Sequence, residues 1–178
     1  MQTYVVAGGC FWCLDAVYRT LRGVSEVVSG YTGGTVVEPN YDIVTKGTTG
    51  HAEAVAVTFD PETIPAEVIL DVFFSLHDPT QLNRQGADVG SQYRSALFYT
   101  DDNQKALFEE ARLRAAEGWD DPIVTQIDRL GSFFVAEDYH QDFFAKNPGQ
   151  GYCLAIAAPK VNAIRKSFAK YARAQSTS

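Results

Sequence analysis

The sequence has few basic residues, few cysteines and no long apolar run, and each shortage removes a class of function. No stretch approaches the roughly 18 consecutive apolar residues of a membrane span. Lysine and arginine number 15 against 22 aspartates and glutamates, a net charge of −7. That balance disfavours attraction to a nucleic-acid backbone or an anionic membrane surface. No basic region precedes "YVVAGGCFWC", and two glycines interrupt that segment, so a cleaved signal peptide is not expected. Three cysteines in 178 residues have neither the density nor the even count of a secreted disulfide scaffold. A cytoplasmic location is the expectation, and there cysteines are catalytic, metal-binding or inert core. The chain has no internal repeat and no low-complexity segment.

The hydrophobic content of 46% can build a substantial core, and the length suits one domain spanning residues 1–178. "TYVVA" (Thr3 to Ala7) reads as a short buried strand. Gly8 and Gly9 allow a tight turn into a helix from about Phe11 to Leu21. "GVSEVVSGY" supplies a second strand, followed by the long polar loop "TGGTVVEPNYDIVTKGTTG". In "HAEAVAVTFDP" the alternation places Glu53, Val55, Val57 and Phe59 on one strand face, with Ala54, Ala56 and Thr58 on the other. "PAEVILDVFFSLHDP" is a helix started by Pro65 and stopped before Pro79. An irregular stretch leads to the strand "RSALFYT" and the helix "DDNQKALFEEARLRAAEG", whose aspartates suit a positive helix start. A strand "PIVTQID", an aromatic segment "SFFVAEDYHQDFF" and the loop "AKNPGQGYC" follow. In "PKVNAIRKSFAKYARAQ", Val161, Ile164, Phe168 and Tyr171 recur at helical spacing, which makes its basic residues the solvated face of a terminal helix. Interleaved strands and helices predict a layered α/β domain with a mixed sheet.

The first motif carries the chemistry. A thiol at a helix N-terminus feels the unpaired amide groups, which makes Cys10 a candidate nucleophile; a small buried hydrophobe is the plainer alternative. Cys13, at i+3, lies on the same helix face and permits a CxxC redox pair. Phe11 and Trp12 are either core or an apolar wall beside the thiol. A zinc site needs four ligands, and His51, His77, His140 and the distant Cys153 stand singly, so no metal is expected.

The pieces "GCFW" (Gly9 to Trp12), "PNY" (Pro39 to Tyr41), "GHAE" (Gly50 to Glu53), "HDPT" (His77 to Thr80), "RQGADVGSQYRSA" (Arg84 to Ala96), "EDYHQ" (Glu137 to Gln141) and "GYC" (Gly151 to Cys153) run in this order through most of the chain. The series resembles the peptide methionine sulfoxide reductase A family. That resemblance implies a ferredoxin-like α/β sandwich, with a mixed, mainly antiparallel sheet, packed helices and long irregular loops. It implies that Cys10 attacks the sulfur of methionine sulfoxide and that Phe11 and Trp12 line the pocket for the S-methyl group. Glu53 then delivers a proton to the sulfoxide oxygen or hydrogen-bonds it, Tyr41 and Tyr93 bind that oxygen, and Asp88 positions the substrate. Tyr152 sits beside a frequent resolving cysteine. The implied substrates are the S epimers of free and protein-bound methionine sulfoxide, the implied reductant is thioredoxin, and no cofactor is implied. A monomer is expected.

Elementary chemistry agrees with these roles. A sulfoxide oxygen leaves poorly unless protonated, so attack on sulfur needs an acid nearby. Burial on an apolar strand face would keep Glu53 protonated, and two phenols can hold developing oxyanion charge. His51 shares the face of Glu53, His140 reads as a structural hydrogen-bonding residue and His77 as a helix-end cap; the family mechanism uses no histidine. The sulfenic acid left on Cys10 must condense with another thiol. Here the sequence departs from the commonest family pattern, which has glycine at position 13. Cys153, in a glycine-rich loop flexible enough to reach the site, is the preferred resolving residue; Cys13, and a relay through both, are the alternatives. A general thiol-disulfide oxidoreductase and an inactive binding module for methionine-containing peptides are the competing functions.

Overall fold

The computed structural model describes residues 1–175. The first strand, β1 (Gln2–Ala7), leads through Gly8 and Gly9 into α1 (Phe11–Tyr18) and back to β2 (Val24–Thr32). A long loop containing the single-turn α2 (Tyr41–Val44) precedes β3 (Ala52–Phe59) and α3 (Ala66–Leu76). A small hairpin, β4 (Arg84–Gln85) and β5 (Asp88–Val89), and a 3₁₀ turn at Ser91–Tyr93 lead to β6 (Ala96–Tyr99) and α4 (Asp102–Ala116). After β7 (Gln126–Arg129) and β8 (Phe133–Val135) come a 3₁₀ turn at Asp138–His140, α5 (Phe143–Lys146), a π-helical turn at Cys153–Ala157 and α6 (Ala158–Ser167).

The six-stranded sheet has the order β7-β6-β1-β3-β2-β8. Its middle four strands are antiparallel throughout. Each helical crossover therefore skips one strand: β1–α1–β2 straddles β3, and β3–α3–β6 straddles β1. This is the expected ferredoxin-like sandwich. It is extended by β7, parallel to β6, and by β8, antiparallel to β2. Among the described residues no helix is long and apolar enough to cross a membrane.

The two-residue period of the central strands sorts the core into two layers. Tyr4 and Val6 of β1 join Val55, Val57 and Phe59 of β3 on the face covered by helices, where Phe11, Leu14 and Val17 of α1 and Ile69 and Phe73 of α3 are buried. Tyr18 ties the two helices by donating its hydroxyl hydrogen bond to the Ile69 carbonyl at 2.9 Å. The opposite face carries a thinner layer with Ala7, Ala52, Ala54 and Phe98. Glu53 thus continues the stripe that faces the helices. A carboxyl there is withdrawn from water by the same alternation that builds the core.

Helix starts follow the sequence. Pro65 stands at the N-cap of α3, and the Asp101 side chain caps α4 by accepting from the Gln104 N–H at 2.8 Å. The ends depart more. The first helix stops at Tyr18 instead of about Leu21, because the chain turns to bridge Leu21 with Ala172. The strand in "PIVTQID" begins only at Gln126. The expected loop "AKNPGQGYC" begins inside α5, whose last two residues are Ala145 and Lys146, and from Gly151 the chain is helical into α6. Burial of Cys153, Ala157, Val161 and Ile164 along that segment outweighs the poor helix propensity of Gly151.

Candidate active site

Gly9 adopts φ +86°, the left-handed region open to glycine, and a Cβ there would stand 3.0 Å from Gln85 Cγ. Its N–H donates to the Tyr93 carbonyl at 3.1 Å, which ties the turn to the Ser91–Tyr93 segment. Cys10 follows as the N-cap of α1, with extended backbone (φ −66°, ψ 131°), and Cys13 is the third helical residue. The structure thus gives the strand, glycine turn, thiol and helix expected from "GGCFWC".

Glu53 is almost fully buried, and its Oε1 accepts from the Phe11 N–H at 3.1 Å, the amide next to Cys10. Burial pushes this carboxyl up to about 8, with the Phe11 hydrogen bond opposing and Asp88 adding to the rise. Its Oε2 is buried with no protein partner among the described residues. The acid is therefore largely protonated at neutral pH, with one oxygen free for a ligand.

A helix terminus alone predicts a lowered thiol pKa at Cys10. The structure gives the opposite: burial pushes this thiol well up, Glu53 and Cys13 add to it, and the Trp12 N–H only partly offsets them. Desolvation outweighs the terminal amides in the unliganded site. Thiol and acid both hold their protons there.

Two phenols border the pair. Tyr41 opens α2, which Asn40 caps by accepting from the Ile43 N–H at 3.0 Å. Burial, then Glu53 and Cys10, push its phenol up to about 12. Tyr93, at the end of its 3₁₀ turn, is also raised by burial and then by Glu53 and Cys10. Both hydroxyls remain donors at neutral pH. Tyr152 donates to Asp88 Oδ2 at 2.6 Å, and the Cys13 thiol reaches the Tyr152 hydroxyl at 3.8 Å. Asp88 also raises the pKa of Cys10, Glu53, Tyr41 and Tyr93, which places it within electrostatic reach of all four.

Of the two aromatics after Cys10, Trp12 is the one that reaches solvent. Its indole stacks on Phe143 at 3.7 Å and meets the Tyr152 ring edge-on at 5.9 Å. Phe11 is fully buried, 5.6 Å from the Tyr31 ring and 4.9 Å from His140. Its amide serves Glu53 while its ring backs the site from within.

Cys153 differs from expectation in its setting. It lies in the π-helical turn, fully buried, with its N–H held by Gln150 Oε1 at 3.0 Å. It is not in a flexible loop. Cys153 adds to the raised pKa of Cys13, so these two sulfurs are close enough to interact. All three cysteines are free thiols.

Two positioning residues stand outside the candidate set. His140 is fully buried and accepts the Trp12 indole N–H on Nδ1 at 2.9 Å, which leaves the ring hydrogen on Nε2. Glu137 accepts from the Tyr31 hydroxyl at 3.0 Å and, on its other oxygen, from the Tyr41 N–H at 3.2 Å. The motif "EDYHQ" signals that these residues matter; their partners, about a hundred positions away, are absent from any local pattern. His51 uses both ring nitrogens on the loop before α2, accepting from the Gly34 N–H at 3.0 Å and contacting the Val36 carbonyl at 2.6 Å. His77 caps α3, its Nδ1 on the Phe73 carbonyl at 2.6 Å. Among the described residues no three His, Cys, Asp or Glu side chains converge to hold a metal ion.

A buried thiol and a protonated acid at one helix start, with phenols beside them, can deliver a nucleophile and a proton to the two ends of one polar bond. Known proteins agree in kind. The model of the family described as peptide methionine sulfoxide reductase matches residues 2–172. Peptide methionine sulfoxide reductase MsrA of Clavibacter michiganensis subsp. michiganensis is 68% identical over 174 residues, covering 98% of this chain and 99% of that protein. Reduced Mxr1 of Saccharomyces cerevisiae is 32% identical with a TM-score of 0.81, covering 85% of this chain and 88% of that one. Methionine sulfoxide reductase A of Corynebacterium diphtheriae is 32% identical with a TM-score of 0.77, over 86% and 78%. Mxr1 has also been solved in complex with Trx2. From Gln2 to Ala172, then, the chain belongs to the peptide methionine sulfoxide reductase family, the MsrA oxidoreductases.

Proposed function

We propose that the site reduces the S epimer of methionine sulfoxide, free and in proteins, with Cys10 as nucleophile and Glu53 as acid. The observation that carries this is the Glu53 carboxyl itself: buried, raised to about 8, fixed to the amide beside Cys10 and left with one unpartnered oxygen. The Cys10 sulfur attacks the sulfoxide sulfur while the Glu53 proton moves to the sulfoxide oxygen, and Tyr41 and Tyr93 hold that oxygen as charge develops. The S–O bond then breaks. Oxygen passes to Cys10 as a sulfenic acid, the Cys10 proton returns to Glu53, and methionine departs reduced by two electrons. Trp12 forms the exposed apolar wall for the S-methyl group, Phe11 supports it from the core, and Asp88 and Tyr152 orient the substrate's polar atoms.

The second thiol is Cys13. Cys10 at the N-cap and Cys13 at the third helical position share the first turn, and Cys13 raises the pKa of Cys10, whereas Cys153 sits buried in a π-helical turn and acts on Cys13. Condensation of the sulfenic acid with the Cys13 thiol releases water and forms the first disulfide. Exchange with Cys153 then frees the Cys10 thiol and leaves a Cys13–Cys153 disulfide for a dithiol reductant of the thioredoxin class, a role supported by the yeast relative's complex with Trx2. The enzyme acts as a cytoplasmic monomer in the repair of oxidised proteins.

A single turnover without external reductant tests the reading. Reduced enzyme with excess S-epimer sulfoxide is expected to release about one methionine and lose two thiols, as sulfenic acid chemistry requires. Cys10→Ser is expected to release none. Retained activity in that variant would refute the assignment.

A further inference from the structure

Beside the nucleophile lies a second concavity of about 310 Å³. Residues 85–88 of the β4–β5 hairpin form one wall; Tyr152, Ile156 and Lys160, each four residues after the last, form the other. Asp88 and Tyr152, hydrogen-bonded to each other at 2.6 Å, belong to both this cavity and the active site, so the two adjoin. The walls are mainly apolar, and Ile156 leaves 39% of its surface exposed there. Among the described residues Lys160 forms no ion pair, although it lies near enough to Cys13 to lower that thiol's pKa. The recess is mainly apolar, with Asp88 held by the Tyr152 hydroxyl on one wall and Lys160 on the other, so it suits an apolar group whose carboxylate, if it carries one, lies toward Lys160.

We propose that this cavity is a subsite for the residue neighbouring the oxidised methionine in a peptide or unfolded protein. It takes an apolar side chain against Ala87 and Ile156, and Lys160 favours an acidic residue beside it. The proposal rests on Cys10 receiving the sulfoxide. Consecutive Cα atoms are about 3.8 Å apart, so a peptide held at Cys10 must place an adjacent residue along one wall of the cleft. Methionine sulfoxide capped as N-acetyl methylamide has no such side chain and bypasses the subsite.

The test compares kcat/KM for that capped substrate with pentapeptides carrying Leu, Ser, Glu or Lys on either side of methionine sulfoxide. On one side Leu is expected to exceed Ser by roughly tenfold, the range an apolar pocket can discriminate. Glu is expected to exceed Lys several-fold at low salt, a margin that shrinks as salt screens it. Ile156→Ser should abolish the Leu advantage and Lys160→Glu should invert the order of Glu and Lys, each leaving single-turnover methionine release from the capped substrate in place. Equal rates for all peptides in the wild type would overturn the subsite. So would Lys160→Glu raising the KM for thioredoxin without changing the peptide ratios, which would make the cavity a docking face for the reductant. Failure of wild type on the capped substrate would instead refute the underlying reading of Cys10.

Discussion

Glu53 and Phe11 are 42 positions apart in sequence, yet the carboxyl of one accepts the backbone N–H of the other at 3.1 Å, one residue beyond Cys10. That bond joins the central strand β3 to the start of α1. The carboxyl is thereby fixed relative to the Cys10 thiol by main chain, and its protonation state becomes a property of the fold.

The pH dependence follows with a definite sign. Glu53 is raised in the folded chain from an ordinary value near 4.5 to about 8. The folded state thus binds more protons than the unfolded one between those values, and stability falls as pH rises through that window. Denaturant titrations of wild type and Glu53→Gln are expected to show the wild type losing stability relative to the variant from about pH 5 to pH 8. The single-turnover rate is expected to decline above about pH 8, and Glu53→Gln to lose roughly 10²-fold or more. A wild-type rate that keeps climbing past pH 9 would remove Glu53 as the acid.

Tyr41 and Tyr93 are expected to share one oxygen. Replacing either by Phe leaves a second donor and should cost about tenfold in single-turnover rate. The double variant should cost about 10²-fold to 10³-fold, the range for loss of oxyanion donors. Rapid-quench measurement of methionine checks this. Equal rates for the double variant and wild type would place the substrate oxygen elsewhere.

The order of thiol use is open to mapping by mass spectrometry. Cys153→Ser is expected to stop at a Cys10–Cys13 disulfide after one turnover. Cys13→Ser should still release one methionine but accumulate a sulfenic acid that a dimedone probe traps. A Cys10–Cys153 link forming in Cys13→Ser as fast as disulfide forms in wild type would reverse the proposed order.

His140 should act through Trp12. His140→Phe leaves the indole N–H without its acceptor, a loss of about 1–3 kcal/mol where the donor stays buried, and should raise KM more than it lowers kcat. It should also shift the Trp12 fluorescence, whereas His140→Asn, which offers an acceptor, should restore part of both. Unchanged KM and emission in His140→Phe would confine His140 to packing.

Much of this was legible in the sequence because the relevant patterns are local. Strict alternation in "HAEAVAVTF" placed Glu53 on the core face, and two glycines before Cys10 marked a turn into a helix. The ordered motifs, from "GCFW" to "GYC", pointed to the family the comparisons support, which sets aside the inactive binding module. What escaped reading depends on remote contacts or on competing energies. The desolvation of Cys10 comes from elements distant in sequence, so the helix end alone gave the wrong sign for its pKa. The glycines around Cys153 suggested a loop, but one apolar stripe from Cys153 to Ile164 made a helix. The bonds of Glu137 to Tyr31 and Tyr41 span 106 and 96 residues, and no local window contains them.

The strand that delivers Cys10 is also a middle strand of the sheet. Since β1 is flanked by β3 and β6, its second neighbour ends only at Tyr99. During translation Cys10 leaves the ribosome well before Ala96–Tyr99, the segment that must follow before its strand can be closed on both sides. The Tyr93 carbonyl that holds Gly9 and the Glu53 acid arrive within that same interval. A nascent fragment that stops short of β6 therefore carries an ordinary exposed cysteine, and the thiol paired with Glu53 comes into being only once β6 has followed.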